Sequence, residues 1–339
     1  MKKHINIPIF IPHLGCRNCC VFCNQRSISG HTDFHPEDVD REISEALATV
    51  PEGIESEIAF FGGSFTGIDR ELMIYLLDTA KKYTDSGRVS GIRLSTRPDY
   101  INKEILDILS GYKIAAVELG LQSMDDGVLI AAKRGHDAAT AEKACREVKA
   151  YGFSLVGQMM IGLPGSDVGK EILTAEKICA LGADAARIYP TVVFAETELY
   201  DMTKSGRYTP LTTEEAVTRT KETLAVFDRH GVPCIRVGLC ASENLSDPAK
   251  VAGGANHSAI GELAMGELFY DRICEQTDRV PGEKKNRTLT VYVPTGCVSK
   301  AVGQNRRNKK RLCEKYGFSS VKVLEKNDMI GYNVLIRID

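Results

Sequence analysis

The chain has 339 residues, 43% hydrophobic and 26% charged, with no tryptophan and a net charge of −2. That composition excludes a disordered polyelectrolyte, and so small a charge leaves nucleic acid to be bound by local basic patches rather than by the protein's whole field. Eleven cysteines without a secretory signal predict a reducing, cytoplasmic setting, and no stretch approaches the roughly 20 apolar residues that span a bilayer, so no membrane association is expected.

The first predicted strand, Ile5–Pro12, runs directly into a loop holding Cys16, Cys20 and Cys23 in C-x3-C-x2-C spacing. Three thiolates this close can hold three irons of a 4Fe–4S cubane and leave the fourth iron without a protein ligand. An open iron can bind and reductively cleave a small molecule, whereas a four-cysteine cluster more naturally passes electrons. Spacing alone also leaves open a zinc site that pairs Cys16 with Cys19 and Cys20 with Cys23. Phe22, just before the last cysteine, fits the same loop.

Further strands are predicted at Glu57–Gly62, Gly91–Ser95, Ala116–Leu121, Leu155–Ile161, Ala186–Val193 and Val232–Gly238. Helical patterns lie between them, near Pro36–Thr49, Asp69–Lys82, Lys103–Leu109, Ala138–Tyr151, Val168–Leu181 and Thr213–His230. Asp137 and Thr213 mark helix starts, and Gly152 and Gly182 follow helix ends. Strands that alternate with helices imply an α/β fold with a parallel sheet and right-handed crossovers. Each strand ends in polar or glycine-rich residues, where a barrel builds its active site. The expected assembly is a partial (β/α)6 barrel over residues 1–245.

After about Leu245 the pattern changes to a smaller α+β unit, residues 246–339. A helix at Ser258–Cys274 and a charged linker at Asp278–Arg287 lead to strand Thr288–Val293 and helix Val298–Val302. The turn Gly303-Gln304-Asn305-Arg306 then precedes helix Arg307–Tyr316 and strands Val321–Glu325 and Gly331–Ile338. This order resembles the core of a KH RNA-binding domain, in which the turn between the helices clamps the nucleic-acid backbone. Arg306 replaces that turn's second glycine, while Arg306, Arg307, Lys309, Lys310 and Arg311 supply the charge a phosphate-tracking surface needs. Gly303, Arg306, Arg307, Lys309 and Lys310 are the candidate RNA contacts; a solvated helix face is the plainer reading of the same run.

The cysteine spacing resembles the signature of the radical S-adenosylmethionine (SAM) enzymes. Taken together, the segments from Ile7 to Leu239 resemble the radical SAM domain of the Elongator catalytic subunit, above all in its short bacterial relatives without the acetyltransferase part. The resemblance implies a 4Fe–4S cluster on Cys16, Cys20 and Cys23, with SAM chelating the open iron through its amino and carboxylate groups and yielding a 5′-deoxyadenosyl radical. Gly62, Gly63 and Ser64 correspond to the segment that receives the SAM amino group. Ser95, Arg97, Gln122 and Arg187, with Phe22, are further candidate cofactor contacts; Arg97 can pair with a carboxylate or phosphate. Arg187 and Glu118 are predicted to point into the barrel, where they can instead pair with each other. Arg236 invites the same reading. Lys133-Arg134-Gly135-His136-Asp137 either guides an anionic substrate or punctuates a turn. Cys240 either donates a hydrogen atom or is a small buried apolar group, and His257 is structural or a cap.

A transferase that modifies the wobble uridine of tRNA is the function the resemblance implies, with flavodoxin or ferredoxin as electron donor. These 339 residues leave no room for an acetyltransferase domain, so a partner or another group donor is expected. Two other functions stay open: a radical SAM enzyme acting on a small metabolite or peptide, and a non-catalytic RNA-binding protein with a metal site.

Overall fold

A computed structural model describes residues 4–16, 20–25, 34–239, 245, 247 and 249–339. Cys19 and Cys240 lie outside the described residues. The first part of the chain alternates strands and helices: β1 (His4–Ile11), α1 (Val39–Ala48), β2 (Glu55–Gly62), α2 (Arg70–Asp85), β3 (Gly91–Thr96), α3 (Lys103–Leu109) and β4 (Ile114–Gln122). It continues with α4 (Asp126–Ala131), α5 (Ala138–Ala150), β5 (Leu155–Ile161), α6 (Val168–Ala180) and β6 (Ala185–Pro190). Then come β7 (Val192–Phe194), α7 (Glu198–Lys204), α8 (Thr213–Arg229), β8 (Cys234–Val237) and β9 (Val251–Gly254).

Seven strands form one parallel sheet in the order β1-β2-β3-β4-β5-β6-β8. The predicted strand Val232–Gly238 is β8 (Cys234–Val237), which pairs with β6 and makes the half-barrel seven-stranded. The strands sort their residues by parity, as a two-residue period requires. On β1, Ile7, Ile9 and Ile11 are buried against the helices, while Asn6, Pro8 and Phe10 face the barrel interior. On β4, Val117, Leu119 and Leu121 pack outward, and Glu118, Gly120 and Gln122 face inward. The helices meet the sheet with their apolar stripe; α2 buries Met73, Leu76, Leu77, Ala80 and Tyr83. Asp69 caps α2 through Glu71 N and Leu72 N, and Thr212 closes a capping box with Glu215 on α8, one residue before the predicted Thr213.

The predicted strand Ala186–Val193 is two strands. Thr191 donates to Ile161 O at 2.8 Å and its own carbonyl accepts from Ala255 N at 3.1 Å, which turns the chain out of the sheet. Beyond this point β7 pairs antiparallel with β9.

Helix α9 (Ile260–Arg279) leads into β10 (Thr288–Val293), α10 (Val298–Val302), α11 (Arg307–Tyr316), β11 (Ser320–Glu325) and β12 (Leu335–Ile338). These strands form a second sheet, in which β10 runs parallel to β11 and antiparallel to β12. The last strand is shorter than predicted because Tyr332 N is drawn to Asp228 Oδ1 on α8, at 3.2 Å. One helix serves two cores: Ile260, Ala264 and Leu268 of α9 pack with the barrel, and Phe269, Ile273 and Cys274 pack with the second sheet.

Candidate functional site

The parallel strands open at their C-terminal ends onto a cavity of about 1070 Å³ lined by Cys16, Cys20 and Cys23 together with residues of every strand in the sheet. The cysteine loop is fixed from several sides. At its start, Gly63 N donates to Ile11 O at 2.7 Å and Ser64 N to Leu14 O at 3.0 Å, joining the loop to the end of β2. The two segments touch so closely that a Cβ on Gly63 would lie 2.0 Å from Leu14 O, and one on Gly15 2.2 Å from Ser64 O. The glycines of Gly62-Gly63-Ser64 therefore serve the seam between the loop and the strand. Farther on, Val21 donates to Ala132 O at 3.2 Å and accepts from Leu199 N at 2.8 Å, while Asn24 Nδ2 donates to Ala195 O at 3.3 Å. Phe22 is half-buried, touches both the Val21–Val193–Leu199 cluster and the Val128–Ala132–Leu163 cluster, and lines the cavity.

The thiols meet hydrogen-bonding partners and cations. Cys16 Sγ is 3.3 Å from Ser64 Oγ. Cys20 is buried and receives Arg134 Nη1 at 3.1 Å, with Arg97 Nη1 at 3.8 Å. Two guanidinium groups thus stand beside one sulfur. Arg97 does not line the cavity. Its Nε and Nη2 grip Asp99 Oδ1 and Oδ2, both at 2.9 Å, and it also donates to the Arg134 carbonyl. The bidentate ion pair keeps the Arg97 side chain charged despite its burial.

Among the described residues no three His, Cys, Asp or Glu side chains converge as ligands of a single ion would. Ligands of a cubane do not need to converge, because each thiolate takes a different iron. Three thiols on one cavity wall, one of them between cations, suit that group.

Ser95 and Gln122 line the cavity. Gln122 ends β4 at φ +67°, beside a break in the β4–β5 register, and its Oε1 accepts from Gln158 Nε2 at 2.9 Å. Arg187 also lines the cavity but is committed to a chain of charges. His4 Nε2 lies 3.4 Å from Glu57 Oε1, Arg93 bridges Glu57 at 2.9 Å and Glu118 at 3.1 Å, and Arg187 reaches Glu118 Oε2 at 2.8 Å. The pairing of Arg187 with Glu118 is the arrangement found, with the guanidinium 5.4 Å from the Phe61 ring centroid.

Arg134 is the buried site residue that the candidate set left out. It touches Cys20 and donates to Gly120 O at 2.5 Å, while its Nε is buried without a partner among the described residues. The signal was its place in Lys-Arg-Gly-His, but the sequence gives no register between that turn and the cysteine loop. Next to it, burial and then the charge of Arg134 push the His136 pKa down to about 4, so the imidazole is neutral near pH 7. Glu171, also buried, accepts from Gly162 N at 2.7 Å and Arg219 Nε at 2.8 Å and so fixes the loop after β5.

In the second sheet's unit, Asn305 and Arg306 take left-handed φ values of +52° and +59° between α10 and α11. Arg306, Arg307 and Lys310 are exposed and Lys309 half-buried. Arg311 is drawn away: it reaches Glu267 at 2.7 Å and stacks 3.6 Å over the Tyr270 ring. His257 Nδ1 accepts from Ala259 N at 3.1 Å, a local cap.

Comparison with known families matches the Radical SAM superfamily over residues 10–177 and the Radical_SAM C-terminal domain over residues 183–268. An uncharacterised protein of Methanocaldococcus jannaschii is 30% identical over 264 residues, covering 74% of this chain and 79% of that one. The tRNA uridine(34) acetyltransferase of Methanocaldococcus infernus is 33% identical over 149 residues, 42% of this chain and 27% of that one. The archaeal Elp3 structure from the same organism superposes with a TM-score of 0.60 at 18% identity, covering 85% of this chain and 71% of that one, and shows a shared fold. The chain spans about half (53%) of the length of the Elongator complex protein 3 relatives it matches. Among the described residues, no helix is long and apolar enough to cross a membrane.

Proposed function

The chain belongs to the radical SAM superfamily of enzymes, which use a 4Fe–4S cluster and S-adenosylmethionine, and from that premise we propose that it modifies tRNA, with the wobble uridine as target. The carrying observation is that Cys16, Cys20 and Cys23 share one cavity wall with Gly62, Gly63 and Ser64 at the ends of β1 and β2.

On this reading the three thiols hold the cluster, and Gly62–Ser64, Ser95 and Gln122 receive SAM. When bound, the cluster and SAM would supply radical chemistry able to abstract hydrogen from unactivated carbon, with the electron coming from an external reductant. The chain's own residues do the rest. Arg134 positions the Cys20 sulfur through its Nη1 contact at 3.1 Å. The seam at Gly63 keeps Cys16 against β2. Phe22 seals the loop on its apolar side, and the walls of the cavity exclude water from a reactive intermediate.

The tRNA part of the reading is supported by the named tRNA uridine(34) acetyltransferase relative and by the exposed cations at the Gly303–Arg306 turn. Arg306, Arg307, Lys309 and Lys310 would track phosphates there, with Gly303 in the turn. An external reductant such as flavodoxin or ferredoxin and a separate group donor complete the scheme.

Release of 5′-deoxyadenosine from anaerobically reconstituted protein with SAM and dithionite tests it. Release that bulk tRNA stimulates supports the whole reading. Release indifferent to tRNA keeps the enzyme class and turns the search to metabolites and peptides. A cluster-loaded protein that releases none refutes the radical step.

A further inference from the structure

We infer that Arg236 and Tyr189 form an oxyanion-binding subsite at the β6–β8 side of the cavity, where they receive a carboxylate or phosphate carried by the substrate. The inference deepens the proposed reading of this cavity as the active site and rests on it.

Arg187 and Arg236 are register partners on adjacent strands, and both line the cavity. Two guanidinium groups side by side repel unless each is neutralised. Arg187 is neutralised by Glu118, at 2.8 Å. Arg236 has no carboxylate within ion-pair range among the described residues; its hydrogen bond there runs from Nε to Gly238 O, at 3.1 Å. Among the described residues its terminal nitrogens have no hydrogen-bond partner.

Tyr189 supplies a second donor. Its hydroxyl accepts from Arg187 Nη1 at 3.3 Å, so its own O–H proton is free to point elsewhere, and the residue lines the cavity. A hydroxyl polarised by a neighbouring cation is a stronger donor to an anion. The other charged groups on the cavity are accounted for. Glu118 is shared between Arg93 and Arg187, Arg134 is held by Cys20 and Gly120, and Glu196 is exposed. Pro190, Val192, Phe194 and Leu239 provide apolar walls, and beside such walls an unpaired guanidinium is costly until an anion arrives.

The position separates this anion from the carboxylate of SAM. Among the described residues the cations beside the cysteines are Arg97 and Arg134, at 3.8 and 3.1 Å from Cys20 Sγ, so a carboxylate held at the cysteine loop has those two arginines, not Arg236, as its neighbours. The charge recognised there belongs to the substrate: a backbone phosphate beside the modified base, or the carboxylate of a small acid.

Binding to cluster-loaded protein with SAM but no reductant tests this by titration calorimetry, with no turnover needed. The probes are uridine 5′-monophosphate against uridine, and succinate against succinamide. In one of the two pairs the anion should bind tighter than its neutral analogue by on the order of tenfold to a hundredfold. Arg236→Gln should erase that preference, Arg236→Lys should keep part of it, and Tyr189→Phe should lower it severalfold. A preference confined to the phosphate pair assigns an RNA phosphate; one confined to the carboxylate pair assigns a small acid. Equal binding of charged and neutral probes to the wild type overturns the subsite, as does a preference that survives in both Arg236→Gln and Tyr189→Phe. The cluster's visible absorbance and SAM binding, recorded on each variant, show whether the cofactor site itself has failed instead.

Discussion

Replacing Gly63 with alanine adds one carbon at the tightest point of the seam between the cysteine loop and β2. That Cβ would stand 2.0 Å from Leu14 O and 3.0 Å from Ile11 O, so the loop must withdraw by at least 1.0 Å to reach even the 3.0 Å floor of real contacts. Both neighbours are backbone, and both belong to hydrogen bonds that the move would stretch: Gly63 N to Ile11 O and Ser64 N to Leu14 O. Overpacking of this kind costs about 1–3 kcal/mol. For a domain of this size that corresponds to a melting temperature lower by very roughly 2–10 °C. The larger effect falls on Cys16, two residues after Leu14, whose sulfur must stay in step with Cys20 and Cys23 across a rigid cluster. Gly63→Ala is therefore expected to fold but to take up much less iron and sulfide on anaerobic reconstitution, with a weakened electron paramagnetic resonance signal after reduction. A variant with wild-type iron content and wild-type melting temperature would refute the steric argument.

Cys20→Ala should abolish SAM cleavage and lose cluster iron; cleavage retained at the wild-type rate would show that Cys20 is not a ligand. Glu118→Gln leaves Arg93 and Arg187 facing each other in a buried site and should destabilise the fold by about 3–5 kcal/mol, measured by denaturant unfolding, whereas a loss under 1 kcal/mol would mean the network is solvated. Arg306→Gly relieves a left-handed backbone conformation while removing a charge, so thermal stability should hold or rise slightly as tRNA affinity falls; unchanged affinity would exclude this turn from RNA contact. The folded-state pKa of His136 lies below its unfolded value, at about 4 against 6.5, so the folded protein binds fewer protons and loses stability as pH falls through that window. His136→Asn should flatten the pH dependence of unfolding between these values, and a slope unchanged from wild type would show that the imidazole is not buried neutral.

Most of the barrel was readable because strand parity is a local property. Ile7, Ile9 and Ile11 against Asn6, Pro8 and Phe10 display both the strand and its inward face before any pairing is known. Strand Leu155–Ile161 coincides with its predicted bounds for the same reason, and helices Lys103–Leu109 and Arg307–Tyr316 coincide with theirs because helical spacing and caps are equally local. The break at Thr191 was not readable, since it is made by hydrogen bonds to Ile161 and Ala255, residues 30 and 64 positions away in the chain. Helices α4 and α7, of six and seven residues, were missed although helices as short as Lys103–Leu109 and Val298–Val302 were read. The limit met at Thr191 governs the site as well. The thiols announce themselves by spacing, but Arg134 joins them through the register of a distant turn, and Arg97 leaves the cavity because Asp99, two residues on, captures it.

The charged interior explains how one sheet can hold a reactive centre and remain folded. A half-barrel of seven strands cannot fill its interior with apolar side chains and still receive ligands. Several of its inward positions are therefore polar or charged among the apolar ones, and the buried charges must find partners. Glu57, Arg93, Glu118 and Arg187 solve this by alternating in sign from β2 to β3 to β4 to β6, so that each arginine meets a carboxylate. The alternation ends at Arg236 on β8, the last strand of the sheet, which has no further strand to answer it. An arginine left over at the end of such a series is where an incoming anion gains most, because the carboxylates ahead of it are already engaged. On the proposed reading this same geometry orients the RNA. Helix α9 is shared by the barrel core and the core of the second sheet, and Asn308 on α11 ties to Gly266 O of that helix at 2.7 Å. A phosphate backbone tracked along Arg306, Arg307 and Lys310 is then held in fixed relation to the cavity, and the base to be modified can be presented to it without a hinge.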